Sequence, residues 1–205
     1  MTDGDNGPTS RGDRDGRRRD VLAAATEIIE QVGWDGFSIR AIASRAGVSS
    51  GAVYQWFSGK DEIFGELLHR EICAGLDMIE AVPDDIDLSA TVRMMLDWVV
   101  GLYAKLGRYE LEFVEASSGR SGREIAPVMT AAYLDLGNRA DALLGRAAAR
   151  DGVELVDDDE RITWFWAACV GVAERLIVIA SHFEGDRREG FLAMSTERLT
   201  KSLLV

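Results

Sequence analysis

Cysteine, histidine, lysine and proline are all scarce in this chain, and each scarcity closes off a class of protein. Two Cys in 205 residues cannot build a disulfide framework, which predicts a cytoplasmic protein. The two His, His69 and His182, leave little imidazole for general acid–base work, and no pair of carboxylates stands out in its place. His69 and Cys73 lie four apart and would share a helix face, yet a complete zinc site would require the fold to bring His182 and Cys169 to them. The sequence contains no Walker loop, no G-x-S-x-G and no H-E-x-x-H, the spacings that carry phosphate, acyl and zinc chemistry. The expectation is no catalytic residue, no metal and no cofactor, in a chain that is not an enzyme. Three Pro leave room for long uninterrupted helices. The apolar run from Ile162 to Ala180 is broken by Glu174 and Arg175, so no membrane partner is expected.

Hydrophobic residues make up 47% of the chain, enough to fill the core of one large or two small domains. The net charge is -12, but it is unevenly placed. Residues 1–60 hold eight basic and eight acidic side chains, whereas residues 61–205 hold fifteen and twenty-seven. Any surface meant for a polyanion therefore belongs to the first part. Residues 1–16, MTDGDNGPTSRGDRDG, are rich in Gly and Asp with almost no apolar content, which predicts a disordered tail and supplies no apolar stretch for a signal peptide. The Arg residues at 11, 14 and 17–19 suit either a basic arm or a plain solvated segment.

The densest local information lies between Ser38 and Lys60, SIRAIASRAGVSSGAVYQWFSGK. Ser38 is a good N-cap for a helix through Ile39, Ala41, Ile42, Ala43 and Ala46. Gly47 suits the left-handed conformation that ends a helix. Ser49 caps a second, short helix over Gly51–Phe57, on which Val53 and Phe57 share one face. The opposite surface then presents Ser50, Gly51, Ala52, Tyr54 and Gln55, small or hydrogen-bonding groups suited to close approach to base edges and phosphates. Upstream, residues 17–33 carry Val21, Leu22, Ala25, Ile28, Ile29 and Val32 at helical spacing, and Trp34 and Phe37 follow to close a three-helix core. Downstream, Ser58-Gly59-Lys60-Asp61-Glu62 opens a further helix with acidic residues in its first turn. Two helices around such a turn form a helix-turn-helix, a device for laying one helix in the major groove.

With helix one followed by GWDGFSIRAIASRAGVSSGAVYQWFSGKDEIFGELL, residues 17–68 resemble the DNA-binding domain of the tetracycline-repressor (TetR) family. The resemblance implies an all-α protein with residues 17–62 as a helix-turn-helix domain and residues 63–205 as a helical effector-binding and dimerisation domain. It also implies a regulator, in most cases a repressor, that binds a palindromic double-stranded operator as a homodimer and is released by a small molecule. Carried over residue by residue, Ser38, Arg40, Ser49, Ser50, Gly51, Ala52, Tyr54, Gln55, Trp56 and Lys60 are the DNA-binding candidates. Tyr54 and Lys60 match phosphate-contacting positions, and Arg40 matches one that reaches a base or phosphate. Trp56 departs from the family, which more often has His or Tyr there; an indole donates but cannot accept.

The later part reads as six more helices, over residues 61–81, 88–106, 109–117, 124–150, 157–183 and 186–204. The helix over 157–183 is apolar nearly all round, which demands burial on several sides. That demand predicts a self-association surface from Trp166, Val170, Ala173, Ile177, Phe191, Met194 and Leu199, packed as four helices from two copies. For the small-molecule effector the resemblance points to the middle helices, with Trp98, Tyr103, Phe113, Met129, Tyr133, Trp164 and Phe165 as candidates. A largely apolar pocket suits an apolar or aromatic ligand, while Glu112, Glu115 and Glu174 would favour a cation. Two other functions fit the residues alone: a helical-bundle enzyme, and an adaptor using the helix-turn-helix to hold protein.

Overall fold

The computed structural model describes residues 11–106, 122–178 and 185–205, with side chains from Gly16 onward except at 122–128. The described residues form eight helices: α1 (Arg11–Gly36), α2 (Ile39–Arg45), α3 (Ser50–Val53), α4 (Lys60–Glu80), α5 (Leu88–Lys105), α6 (Gly122–Asp151), α7 (Arg161–Val178) and α8 (Asp186–Ser202). Among those residues no strand is formed, and extended pairing is limited to one isolated bridge between Leu155 and Leu204.

The N-terminal three helices follow from local chemistry. α1 buries Val21, Leu22, Ala24, Ala25, Ile28 and Ile29, while Val32, on the edge of that stripe, is 57% exposed. It starts at Arg11, so residues 11–16 are helical where composition alone suggested a tail. Asp13 and Asp15 precede Arg17 and Arg19 at the four-residue spacing that favours a helix. The α1 backbone breaks at Gly33, where φ is 70°, and Trp34 then accepts from the Phe37 amide at 3.1 Å. The Ser38 hydroxyl accepts from the Ala41 amide and caps α2. α2 ends in a Schellman motif: Val48 N–H reaches the Ala43 carbonyl at 3.0 Å, Gly47 N–H the Ser44 carbonyl at 3.4 Å, and Gly47 takes a φ of 68°. Ser49 caps α3 through the Ala52 amide at 3.1 Å. The helix expected over Gly51–Phe57 is α-helical only to Val53. Beyond it, Gln55 and Trp56 donate three residues back, to Ala52 and Val53, which is the tighter 3₁₀ pattern.

Aromatic packing joins this unit to α4. Trp34 stacks on Phe37 at 5.6 Å between centroids, and both rings meet Phe64 of α4 edge-to-face, at 5.1 and 6.2 Å. Such geometries add about 0.5–1.5 kcal/mol per pair beyond burial. Arg18 adds a polar staple: its guanidinium holds the Glu66 carboxylate at 3.2 and 3.1 Å and lies 5.0 Å from the Phe57 ring centroid. Arg18 is therefore turned onto the fold and is not part of a free basic arm.

In the C-terminal part α5 is central, packing on α6, α7 and α8. Its Thr91, Val92, Met95, Leu96, Val99 and Val100 are buried. α4 lies along α6. Asp87 caps α5 through the Ala90 amide, and Asp151 accepts from the Leu88 amide at 2.8 Å, tying the end of α6 to the start of α5. Arg161 at the head of α7 grips both oxygens of Asp141 at 2.8 and 3.0 Å. Arg93 of α5 grips Glu189 of α8 in the same forked way, at 2.7 and 2.9 Å. The chain end pairs with the α6–α7 loop, Val156 N–H to the Leu203 carbonyl and Val205 N–H to the Glu154 carbonyl. The helix expected over 109–117 and the end of the one expected over 157–183 lie outside the described residues. No described helix is long and apolar enough to cross a membrane.

The turn glycine provides a direct stability test. A Cβ on Gly47 meets nothing within 4 Å, so only its positive φ opposes a side chain. Gly47→Ala is expected to lower unfolding free energy by about 1 kcal/mol. Gly51→Ala, in a helix and also open, is expected to be neutral or stabilising by up to about 1 kcal/mol. Urea unfolding of the two variants checks the contrast.

Candidate nucleic-acid interface and inner cavity

The exposed surface around α3 is built by the same caps that define it. Ser38, Arg40, Ser49, Gly51, Tyr54 and Gln55 are exposed, Ser50 and Ala52 half-buried, and only Val53 and Phe57 of this stretch are buried. The cap hydroxyls of Ser38 and Ser49 use a lone pair toward the helix, which leaves each O–H available as a donor outward. Arg40 makes no ion pair among the described residues. Arg45, five residues on, is occupied: it donates to Glu27 at 2.6 Å and to Gln31 at 3.0 Å, fastening α2 to α1. One cation of α2 is thus structural and the other faces outward. Tyr54 is 58% exposed, with its ring on the same outer surface as Gly51 and Gln55.

Two of the sequence candidates are placed differently from the rest. Trp56 is half-buried and its indole N–H is buried without a hydrogen-bond partner, so it does not point out as a phosphate donor. Its backbone amide donates to the Val53 carbonyl at 3.0 Å and its ring packs against the core. Lys60 sits with its ammonium 4.2 Å from the centroid of the Trp34 ring, a cation–π contact that holds it at the head of α4 beside the exposed set.

A second feature lies inside the C-terminal bundle. A pocket of about 330 Å³, open to solvent on one side, lies between α5, α6 and α7, and its walls include Trp98, Leu102, Tyr103, Tyr133, Asn138, Thr163, Trp166 and Val170. Of the effector candidates it gathers Trp98, Tyr103 and Tyr133. Met129 is buried away from its walls and Phe165 is buried on the core side. Trp164 is half exposed on the outer surface, and Phe113 lies outside the described residues. Trp166 and Val170, expected at a self-association surface, line the cavity instead. Ala173 and Leu199 are buried within the chain, Ile177 and Phe191 are half-buried, and Met194 is 37% exposed. The reason is the phase of α7. Its buried row is Phe165, Cys169, Ala173 and Leu176, which turns Trp166 and Val170 toward the cavity. The row Trp164, Ala167, Gly171 and Val178 is left outward.

Sequence reasoning missed Asn138, Thr163 and, on α4, Gly75. A Cβ built on Gly75 would stand 2.6 Å from Cζ2, 2.8 Å from Cε2 and 3.2 Å from Nε1 of Trp98. Glycine at 75 is therefore what lets the Trp98 indole lie directly on α4, and the indole N–H is buried there without a hydrogen-bond partner. A glycine inside a helical pattern was the available signal.

With this geometry in place, the comparisons fall into line. Residues 21–67 match the family described as bacterial regulatory proteins, tetR family, a span from the buried face of α1 to Leu67 of α4. Residues 21–67 are a tetR-family domain. It is 29% identical over 86 residues to a fatty acid metabolism regulator protein of Bacillus subtilis, covering 42% of this chain and 43% of that one. It is 41% identical over 59 residues to the HTH-type transcriptional activator FasR of Mycolicibacterium smegmatis, covering 29% and 27%. The chain thus matches less than half the length of either curated relative. Its fold is similar throughout to a transcriptional regulator from Rhodococcus sp. Rha1, with a TM-score of 0.69, 21% identity and coverage of 91% and 97%.

The two cysteines of the chain differ in a way that can be measured. Burial pushes the Cys169 thiol up from 9.0 to about 12, since a thiolate there would be desolvated. Cys73 is half-buried, with Sγ 3.8 Å from His69 Nδ1. Among the described residues no three His, Cys, Asp or Glu are grouped as metal ligands, and His182 lies outside them. One thiol, Cys73, is expected to react with iodoacetamide at pH 8, and Cys169 only after unfolding, as mass spectrometry of the peptides will show. The raised folded value also means that the neutral thiol's contribution to stability is complete below about pH 9 and is lost as pH climbs toward 12.

Proposed function

We propose that this protein is a ligand-responsive transcriptional regulator that binds a palindromic operator as a homodimer, acts as a repressor, and is released by a small molecule. The observation that carries the reading is the α2–α3 unit: two serine-capped helices around a left-handed glycine, with every non-core side chain of α3 small, hydrogen-bonding or exposed. A helix so short and so lightly dressed fits a major groove, where Arg40 reaches a guanine edge or phosphate and Tyr54 a phosphate. Residues 17–62 form the DNA-binding domain and residues 63–205 the effector and dimerisation domain. The name of one relative, an activator, is the reason to test the sign of regulation separately. The name of the other, a fatty acid metabolism regulator, makes acyl compounds a class of effector to include in any screen.

Self-association would place the outward row of α7, Trp164, Ala167, Gly171 and Val178, against its copy. Its small residues allow close helix approach, and Met194 of α8 flanks it. Two α3 helices then stand roughly 34–36 Å apart, one turn of DNA, or somewhat wider. The link between cavity and DNA surface is Trp98. It forms cavity wall on one side and rests on Gly75 of α4 on the other, and α4 carries the aromatic foot of the DNA-binding unit through Phe64. A ligand moves the DNA affinity only by as much as its affinity differs between the two arrangements of α4.

Selection of genomic fragments by the purified protein at near-physiological salt tests the reading, with enrichment of an inverted repeat as the expected result. Recovery of no sequence by a folded dimer would overturn it. Arg40→Ala and Tyr54→Phe are expected to leave the melting temperature within about 1 °C, because both side chains are exposed. Each is expected to weaken operator binding about 10- to 100-fold, the range of a lost bidentate or phosphate contact. Unchanged binding in both would point to the adaptor reading.

A further inference from the structure

The walls of the cavity between α5, α6 and α7 carry a chemical bias. The described lining residues are Trp98, Val99, Leu102, Tyr103, Tyr133, Leu134, Leu136, Gly137, Asn138, Ile162, Thr163, Trp166 and Val170, and none of them is Asp, Glu, Lys, Arg or His. Glu174, the described carboxylate that would favour a cation, is exposed and off the walls. The pocket opens to solvent past Tyr133, Leu134, Asn138 and Thr163, while Val99, Leu102, Tyr103 and Leu136 form its buried floor; a charge seated on that floor without a partner is disfavoured. The polar groups on the walls belong to neutral side chains, Tyr103, Tyr133, Asn138 and Thr163, which orient an uncharged molecule by hydrogen bonds.

The apolar part of the walls is aromatic on two sides. Trp98 and Trp166 meet edge-to-face with centroids 6.0 Å apart at 69°, and Phe165 backs Trp166 at 5.4 Å and 62°. In an edge-to-face pair one ring covers a face of the other, so the two indoles do not form the open cage of faces that holds a cation. They form a bent, rigid wall that offers offset or edge contact to a flat ring. A volume of about 330 Å³ accommodates two or three fused or linked rings, within the range of small-molecule sites.

We propose that the effector site takes an uncharged, ring-bearing apolar molecule, seated against Trp98 and Trp166 and oriented by Asn138 and Thr163, and excludes free carboxylates and cations. This deepens the regulator reading and rests on it for the word effector, but the binding itself does not depend on DNA. The same molecule touches the indole that rests on Gly75, so the seat and the relay to α4 share one side chain.

The experiment uses the full chain without DNA and three fluorescent probes of similar size: neutral N-phenyl-1-naphthylamine, its anionic relative 1-anilinonaphthalene-8-sulfonate, and the cation N-methylacridinium. The expected result is saturable binding of N-phenyl-1-naphthylamine at least tenfold tighter than either charged probe. It is to be weakened at least fivefold in Gly75→Ala, whose new Cβ drives the indole toward the cavity, and in Thr163→Trp, which fills the mouth from an exposed position. Circular dichroism melting confirms that each variant is folded, and Thr163→Trp stands as the second variant should Gly75→Ala unfold. Equal or tighter binding of the sulfonate or of the acridinium overturns the proposal, as does neutral-probe binding unchanged by both variants. Competition with dodecan-1-ol tests the ring requirement: displacement tighter than the probe's own binding overturns it. Because no arm contains an operator, a failed fragment selection and a failed probe titration are separate results.

Discussion

Everything in this molecule is organised by the two unlike burials of one helix, α4. Its first half, with Ile63, Phe64, Leu67 and Leu68, is enclosed by the N-terminal unit and reached by Trp34, Phe37 and Arg18. Its second half, with Ile72, Gly75 and Ile79, is enclosed by the C-terminal bundle. A helix is stiff over 21 residues, so a displacement at Gly75 has to appear at Phe64. The core runs without interruption from α1 to α8, which means that the N-terminal unit is not tethered by a linker but mounted on a rod. The exposed side of α3 has no packing duty of its own. Its position is set entirely by what holds the other end of α4.

The N-terminal unit was legible because its determinants are local. Ser38 and Ser49 were recognisable as caps, and Gly47 as a left-handed stop, from neighbours no more than four residues away; the backbone then did what short-range chemistry dictates. The two exceptions are instructive. Trp56 was a DNA-binding candidate only through the resemblance, and its ring packs against the core with its N–H buried. Lys60 read as a cation for phosphate, and it also has a tertiary partner, Trp34, that spacing could not reveal because 26 residues of turn and helix separate them in sequence.

The C-terminal bundle was legible as helices and not as faces. A helix apolar on one side announces its orientation, whereas α7 is apolar almost all round, so periodicity fixes its existence and leaves its rotation open. The rotation is set by Phe165, Cys169, Ala173 and Leu176 packing on α5, and that choice moved Trp166 and Val170 from an expected outer surface to the cavity wall. Trp164 went the other way. The three pocket residues that the sequence did identify, Trp98, Tyr103 and Tyr133, are aromatics on the middle helices to which the resemblance pointed. Gly75 was visible only as a glycine inside a helical pattern: its role is the absence of a side chain, and only the indole lying on it gives that absence a meaning.

The position of that indole also bounds how the chain can respond. Trp98 has a buried N–H with no acceptor among the described protein groups, and the Gly75 contact leaves no slack between indole and helix. Packed interfaces of this kind switch between discrete seatings and do not slide continuously. A preference of about 1.4 kcal/mol for one seating already changes its population tenfold. A ligand with no charge and few polar groups, of the kind proposed for these walls, would bias such a balance by choosing which side of the indole it occupies.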